Sequence, residues 1–176
     1  AAQMLSLPTE SYLFETLTNT NIETIHSICE SIKVNLALNL KDDFLNCYQI
    51  NSTKKPYDLE PSSISKREIK NLALYYLMHL NTSDVFSICY DQLEHADNLT
   101  DIIASLNCIA NSSCSGREKV LENYYQKWQN QPNLVNKWLA INANIKLPGN
   151  LQRVKKLIDH PSFNLKNPNK VFALIR

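Results

Sequence analysis

Hydrophobic residues recur with helical spacing along most of the chain, most clearly from Gly116 to Ala143. The first half of this stretch has apolar side chains at i, i+1, i+4, i+5 and i+8, namely Val120, Leu121, Tyr124, Tyr125 and Trp128. After Pro132, which suits the first position of a helix, the same spacing returns at Leu134, Val135, Trp138 and Leu139. The pattern predicts two amphipathic helices. Because neither can bury its own stripe, a row of stacked helical hairpins is predicted.

The flanking segments predict further helices. One long stripe runs from Ile22 to Tyr48 and predicts a single helix, with inward positions at Ile22, Ile25, Cys29, Ile32, Leu36 and Leu40. Ser63 and Thr100 are the expected N-caps of two later helices. Residues 51–63 carry two prolines and no periodicity, so they are interpreted as the longest loop. A plain surface connection is favoured over a functional loop. Since no segment alternates with period two, the fold class is all-α.

Composition narrows the function classes. The chain has only two glycines, so phosphate-binding loops and β-hairpin turns, which lean on glycine, are disfavoured. A net charge of +1 with interspersed signs argues against nucleic acid and anionic membranes as partners. Trp128, Trp138 and the two neighbouring tyrosines could stack on bases, but they follow the helix stripe and favour core packing. No apolar run approaches the ~20 residues of a membrane span.

Candidate chemistry is sparse. The five cysteines are odd in number and form no C-x-x-C, which favours reduced, buried thiols of a cytoplasmic protein over a metal or redox site. The four histidines are far apart, and no two lie at i and i+4. The sequence therefore predicts no catalytic residue, no metal-binding residue and no bound cofactor within these 176 residues. His26 and His79 are interpreted as structural. A Ser/His/Asp or Cys/His set stays open from the sequence alone.

The two ends suggest a piece of a longer protein. The chain does not begin with methionine, and it stops at Arg176 within a predicted helix that has no cap. We therefore expect residues 1–176 to form one domain, truncated at its C-terminus.

Five motifs in order resemble one known family. They lie at Ser6–Glu15, Arg67–Leu77, Asp97–Asp101, Lys137–Ala143 and His160–Asn169. Together they are similar to the C-terminal helical domain of the bacterial aminopeptidase N group within the M1 family of zinc aminopeptidases. The motifs cover nearly the whole chain.

The resemblance implies a superhelical array of antiparallel helix pairs, like armadillo or HEAT repeats, lying over a catalytic domain. In the family, zinc is held by an H-E-x-x-H motif and a downstream glutamate, and a G-x-M-E-N motif grips the substrate N-terminus. Both motifs lie in the preceding domain. The resemblance thus implies that this chain is non-catalytic and inactive alone, and that it binds no zinc itself. Its partners would be the preceding catalytic domain and peptide substrates, whose entry it would restrict by closing the chamber.

The resemblance also implies roles for particular residues of this chain. Asn167, Asn169, Lys170 and Phe172 match positions that would line the chamber or the interdomain contact. The family commonly has arginine at the third of these positions and a basic residue at the fourth, so Phe172 departs from it. Asn142 stands where glutamine is usual. A stand-alone helical-repeat scaffold for protein–protein interaction is the alternative, and nucleic-acid binding is a weaker third one.

Overall fold

The computed structural model describes residues 2–18, 20–53 and 55–175, and in these ranges every regular element is helical. A 3₁₀ turn at Ala2–Leu5 precedes ten α-helices in the described residues. In chain order, α1 to α10 are Glu10–Thr16, Ile22–Asn39, Lys41–Asn51, Pro61–Met78, Ser83–His95, Leu99–Ala110, Arg117–Trp128, Pro132–Ala143, Asn150–Ile158 and Pro168–Ile175. The all-α prediction is confirmed. None of the helices in the described ranges is long and apolar enough to cross a bilayer.

The predicted single helix from Ile22 to Tyr48 is wrong. It divides at Leu40, whose backbone (φ −114°, ψ 22°) leaves the helical region between α2 and α3. The break has no glycine or proline to mark it, and Leu40 still accepts a hydrogen bond from the Phe44 amide at 2.9 Å. Both helices pack on α4, so the hydrophobic period continues across the break and conceals it.

The buried face of α2 also differs from the predicted stripe. Its buried residues are Ile25, Cys29, Lys33 and Ala37, each four positions after the last. Ile22 and Ile32, which the pattern placed inward, are 62% and 43% exposed. A buried lysine therefore takes a place that hydrophobicity alone assigns to isoleucine.

Two predicted helix caps are corrected by the hydrogen bonds. The helix α4 begins at Pro61, ahead of Ser63, whose hydroxyl instead donates to the carboxylate of Asp58 at 3.0 Å. The helix α6 begins before Thr100, and its cap is Asn98, whose side-chain oxygen accepts from the Asp101 amide at 2.9 Å. The N-cap position of α4 is Glu60, which makes no side-chain capping bond, whereas Asn98 supplies one for α6.

The chain divides into two compact units, residues 1–105 and 106–176, with the boundary inside α6. In the first unit α4 packs against α2, α3 and α5, and Tyr76 of α4 stacks on Phe44 with ring centroids 4.9 Å apart. In the second unit α8 packs against α7, α9 and α10, so the predicted α7–α8 hairpin is confirmed. The expectation of one domain over residues 1–176 stays a prediction.

A polar network lies inside the first unit. The carboxylate of Asp101, 4% exposed, accepts from the Lys70 ammonium at 2.6 Å and from the Asn71 amide at 2.8 Å. The side-chain amide of Gln92 donates to Asn71 at 2.8 Å and to Ser105 at 3.0 Å. These bonds satisfy groups that would otherwise be costly to bury, and they tie α4, α5 and α6 together.

All five cysteines are free thiols. Four of them are buried and Cys47 is partly buried, which confirms the prediction of reduced, mostly buried thiols. Burial raises the pKa of the Cys47 thiol, with an opposing hydrogen bond from Asn51, so this thiol stays protonated at neutral pH.

Candidate functional site

The four residues that the family resemblance assigns to the chamber lining or the interdomain contact lie at the start of α10, in the second unit. Asn167 precedes the helix, and its side-chain oxygen accepts from the Asn169 amide at 3.1 Å, so it caps α10. The ammonium of Lys170 donates to the backbone carbonyl of Ser162. Asn169 is exposed, and Phe172 is 56% exposed. Two of the four residues thus hold the loop, and the other two present their side chains to solvent.

His160 joins this loop to the α7–α8 hairpin. Its ring meets Tyr125 edge-on with centroids 4.8 Å apart, and it lies 5.2 Å from the ring of Trp138. The Ser162 amide donates to the imidazole Nδ1 at 3.2 Å, and the Ser162 hydroxyl lies 2.7 Å from the same nitrogen. Because the amide can only donate, Nδ1 is an acceptor and the ring proton sits on Nε2.

Burial lowers the pKa of His160, and the charge of Lys170 lowers it further while Glu122 opposes both. The imidazole is therefore neutral at pH 7. His160 therefore contacts both aromatic rings, and its Nδ1 accepts from Ser162 two residues later. These contacts hold the turn in place, as in a local side-chain-to-backbone turn motif.

Trp138 is the central side chain of the second unit. It is 4% exposed, and its indole N–H donates to the Leu121 carbonyl on α7 at 2.9 Å. Tyr125 packs on it with a centroid distance of 4.7 Å. Trp138 and Tyr124 are buried in the core as the sequence predicted, whereas Tyr125 and Trp128 are only partly buried.

A cleft of about 440 Å³ lies beside this core, with Trp138 and Asn142 on its wall. Its charged lining consists of Arg117, Glu118, Glu122, Arg153 and Lys156. The Arg153 guanidinium binds the Glu118 carboxylate through both of its terminal nitrogens, one of them at 2.8 Å. The hydrogen bond from Arg153 holds the pKa of Glu118 below its ordinary value, so the pair is ionised at neutral pH.

Asn142, which stands where the family usually has glutamine, is 2% exposed at this cleft. Its amide donates to the Trp138 carbonyl at 2.9 Å, and its side-chain oxygen lies 3.4 Å from Arg153 Nη1. The shorter asparagine thus makes hydrogen bonds to both the helix and the arginine. The cleft offers fixed charges and amides, which suit recognition of polar or peptide groups.

A second polar cluster, which the sequence did not indicate, lies in the first unit. Glu10, His26 and Glu30 offer ligand atoms that all lie within 4.8 Å of one another. The signal that could have found two of them is the spacing of His26 and Glu30, at i and i+4 on one face of α2. The contribution of Glu10 depends on how α1 packs against α2, which no local pattern encodes.

Comparison with known proteins identifies the region that this chain resembles. It is 30% identical to aminopeptidase N of Haemophilus influenzae over 99% of this chain and 20% of that protein. Aminopeptidase N of Escherichia coli is 28% identical, with the same coverage. The crystal structure of Legionella pneumophila aminopeptidase A in complex with aspartic acid matches with a TM-score of 0.86 and 30% identity. That match covers 98% of this chain and 21% of the other.

The chain thus spans about a fifth of the length of the curated relatives that it matches. The resemblance to the C-terminal region of aminopeptidase N is confirmed. A family model described as a domain of unknown function with ARM repeats matches residues 1–176. The chain, whose described residues form paired helices, therefore belongs to this ARM-repeat family, DUF3458_C.

Proposed function

We propose that this chain is the non-catalytic C-terminal domain of a zinc-dependent aminopeptidase N, which removes N-terminal amino acids from peptides. In this role it caps the active-site chamber and restricts substrate entry. The observation that carries the proposal is the coverage, because the similarity runs over 99% of this chain but only 20% of each aminopeptidase. The remaining four-fifths of such a protein leaves ample chain for a catalytic domain.

The zinc-binding motif of the family has no counterpart here. Neither H-E-x-x-H nor G-x-M-E-N occurs in the 176 residues, so the residues present do not fit the catalytic zinc of an aminopeptidase. No step of peptide hydrolysis is therefore assigned to this chain. Its proposed contribution is selection, through the exposed Asn169 and Phe172 and through the charged cleft of the second unit. The five free thiols support a reducing compartment such as the cytoplasm.

The proposal is tested on the complete gene product that carries these residues. Two substrates are compared, an aminoacyl chromogenic amide and an unstructured decapeptide with the same N-terminal residue. We expect Phe172→Ala to lower kcat/KM for the peptide by about fivefold, the equivalent of about 1 kcal/mol of lost contact, and to leave the small amide unchanged. The matched control is Leu165→Ala, because Leu165 is also an exposed apolar residue (67%) on the loop before α10.

An equal loss for both substrates would indicate a folding defect instead of selection, and no loss for either would contradict a chamber-lining role for Phe172. A second assay tests the expectation of an inactive domain. The 176-residue chain, with its helical content verified by circular dichroism, is expected to show no turnover of the chromogenic amide with added Zn²⁺. Turnover at an enzyme-like rate would refute a non-catalytic role.

A further inference from the structure

Ionisable side chains from α1, α2 and the end of α4 meet in the first unit, along the middle of α2. Glu10 comes from the first turn of α1, and His79 directly follows the last turn of α4. His26, Glu30 and Lys33 come from successive turns of α2. All five residues belong to the first unit, whereas the cleft and the loop before α10 belong to the second. The inference therefore does not rest on the proposed role in an aminopeptidase.

The geometry of three of these residues suits a metal ion. His26 Nδ1 lies 3.2 Å from Glu10 Oε2, and the ligand atoms of Glu10, His26 and Glu30 are all within 4.8 Å of one another. A tetrahedral zinc ion with bonds of about 2.0–2.2 Å holds its ligand atoms roughly 3.3–3.6 Å apart. Side-chain shifts of about 1 Å would therefore bring all three donors to a common ion.

The net charge of the cluster favours a bound cation. The Lys33 ammonium lies 2.6 Å from Glu30 Oε1 and 3.9 Å from Glu10 Oε1. The other oxygen of each carboxylate faces an imidazole, with His79 Nδ1 3.5 Å from Glu30 Oε2. These five groups together carry one net negative charge when both histidines are neutral. A divalent cation placed among Glu10, His26 and Glu30 would thus be attracted to the cluster.

Lys33 and His79 contact the carboxylate of Glu30 through its two oxygens, Oε1 and Oε2 respectively. Lys33 is only 6% exposed. Its buried ammonium therefore depends on the two carboxylates that it contacts. Metal-bound carboxylates are usually oriented by such outer hydrogen bonds.

The packing of α1 indicates what a bound ion would do for the structure. The helix α1 buries none of its residues, although it lies against α2. Apolar packing therefore contributes little to holding α1, and polar contacts must do more. An ion shared by Glu10 of α1 with His26 and Glu30 of α2 would join the two helices directly.

We propose that Glu10, His26 and Glu30 bind one Zn²⁺ ion that fastens α1 to α2. A set of one imidazole and two carboxylates suits zinc, whereas calcium and magnesium prefer oxygen ligands alone. Water completes the fourth position. The ligand side chains are partly open to solvent, with exposures of 28% for Glu10, 38% for His26 and 34% for Glu30, so the ion can enter.

The test uses the complete gene product, equilibrated at a fixed free Zn²⁺ concentration and then analysed for zinc per chain by mass spectrometry. We expect His26→Gln to contain one equivalent of zinc less than the wild-type protein, whatever zinc other parts of the gene product hold. Added Zn²⁺ should raise the Tm of the wild-type protein by several degrees, and the variant should lose this rise.

The matched control is His95→Gln. His95 Nδ1 lies 3.2 Å from the Asp91 carboxylate, an exposed histidine–carboxylate pair at i and i+4 that is not part of the three-residue group found among the described residues. This variant should keep the full zinc content. Glu10→Gln is the second variant, because it removes a ligand from a helix without buried residues and therefore leaves the core intact.

A graded result distinguishes ligands from supporting residues. His79→Gln should retain the zinc at saturation but bind it about 10–100-fold more weakly, as expected for a residue that orients a ligand. Equal zinc content in the wild type, His26→Gln and Glu10→Gln would overturn the proposal and leave the cluster as an ion-pair network around Lys33. Equal zinc loss in His95→Gln would overturn it as well, since adventitious surface binding would then explain the result.

Discussion

The two units bury polar groups in different ways. In residues 1–105 a carboxylate and an ammonium, Asp101 and Lys70, lie 2.6 Å apart with side-chain exposures of 6% and 11%. In residues 106–176 the central side chain is Trp138, and the Glu118–Arg153 pair stays at the edge with side-chain exposures of 59% and 25%. A buried charge depends on its partner far more than an exposed one does. The first unit should therefore be the more sensitive to loss of a single polar group.

The largest effect is expected for Asp101→Ala. This change leaves the Lys70 ammonium buried without its carboxylate and removes the acceptor of Asn71 and Asn98, so it should lower the free energy of unfolding by about 3–5 kcal/mol. Urea denaturation measures the loss. The control is the double variant Lys70→Met/Asp101→Leu, which removes both charges and should recover much of the stability. A loss below about 1 kcal/mol for the single variant would show that water reaches this pair.

A smaller effect is expected for Trp138→Phe in the second unit. The ring remains, but the hydrogen bond to the Leu121 carbonyl and part of the buried volume are lost, which should cost about 1–2 kcal/mol. Urea denaturation followed by far-UV circular dichroism gives the value. Trp128→Phe is the matched control, since Trp128 is only partly buried and should change stability less. If Trp138→Phe lowers the free energy of unfolding more than Asp101→Ala does, the first unit is not the more sensitive one.

Loss of the ion pair in the second unit should matter least among the mutations. Glu118→Ala is expected to cost no more than about 1 kcal/mol, because more than half of the Glu118 side chain is in water. A double-mutant cycle with Arg153→Ala isolates the pair. A coupling energy well above about 1 kcal/mol would show that the cleft shields the pair from solvent.

The two units also differ in the direction of a histidine pKa. In the second unit burial lowers the pKa of His160 below 6.5, while in the first unit a hydrogen bond to the Asp91 carbonyl raises the pKa of exposed His95 above 6.5. The folded state therefore binds the proton of His160 less readily than the unfolded state does, so acidification below pH 6.5 should reduce stability through His160. His95 acts in the opposite sense, and its contribution fades as pH rises through its folded pKa.

Proton NMR titration of the two imidazoles measures both values in one experiment. Removal of His160 by substitution with glutamine should reduce the loss of stability on acidification, whereas His95→Gln should not reduce it. If both rings titrate at 6.5, neither environment differs from that of a free side chain.

Much of the fold could be predicted from the sequence because helical periodicity is local. The hairpin of α7 and α8, with Trp138 inward and Pro132 at the second start, follows from a few neighbouring positions. The break at Leu40 and the cap at Asn98 could not be predicted as readily. The first has no glycine or proline, and at the second Thr100, also a common N-cap residue, lies two positions further on.

The candidate sites also contain some features that could be predicted from the sequence and some that could not. Asn167, Asn169, Lys170 and Phe172 were nominated by resemblance, and the hydrogen bonds explain the first and third as parts of the loop while their role toward substrate stays a prediction. Histidines that are far apart in sequence gave no reason to expect a metal, yet His26 and Glu10 lie 3.2 Å apart through the packing of α1 on α2. Such a contact joins residues sixteen positions apart.

The amino-acid sequence by itself determined that this protein is built of amphipathic helices, where most of them lie, and the main inward side chains of α7 and α8, such as Leu121 and Trp138. These properties depend on the identities of residues within one or two turns. Only the tertiary structure decided that Lys33 is buried, that Asp101 meets Lys70, and that two glutamates gather around His26. A charged side chain is buried only where a partner from another turn or helix compensates its lost hydration, and that partner is supplied by packing.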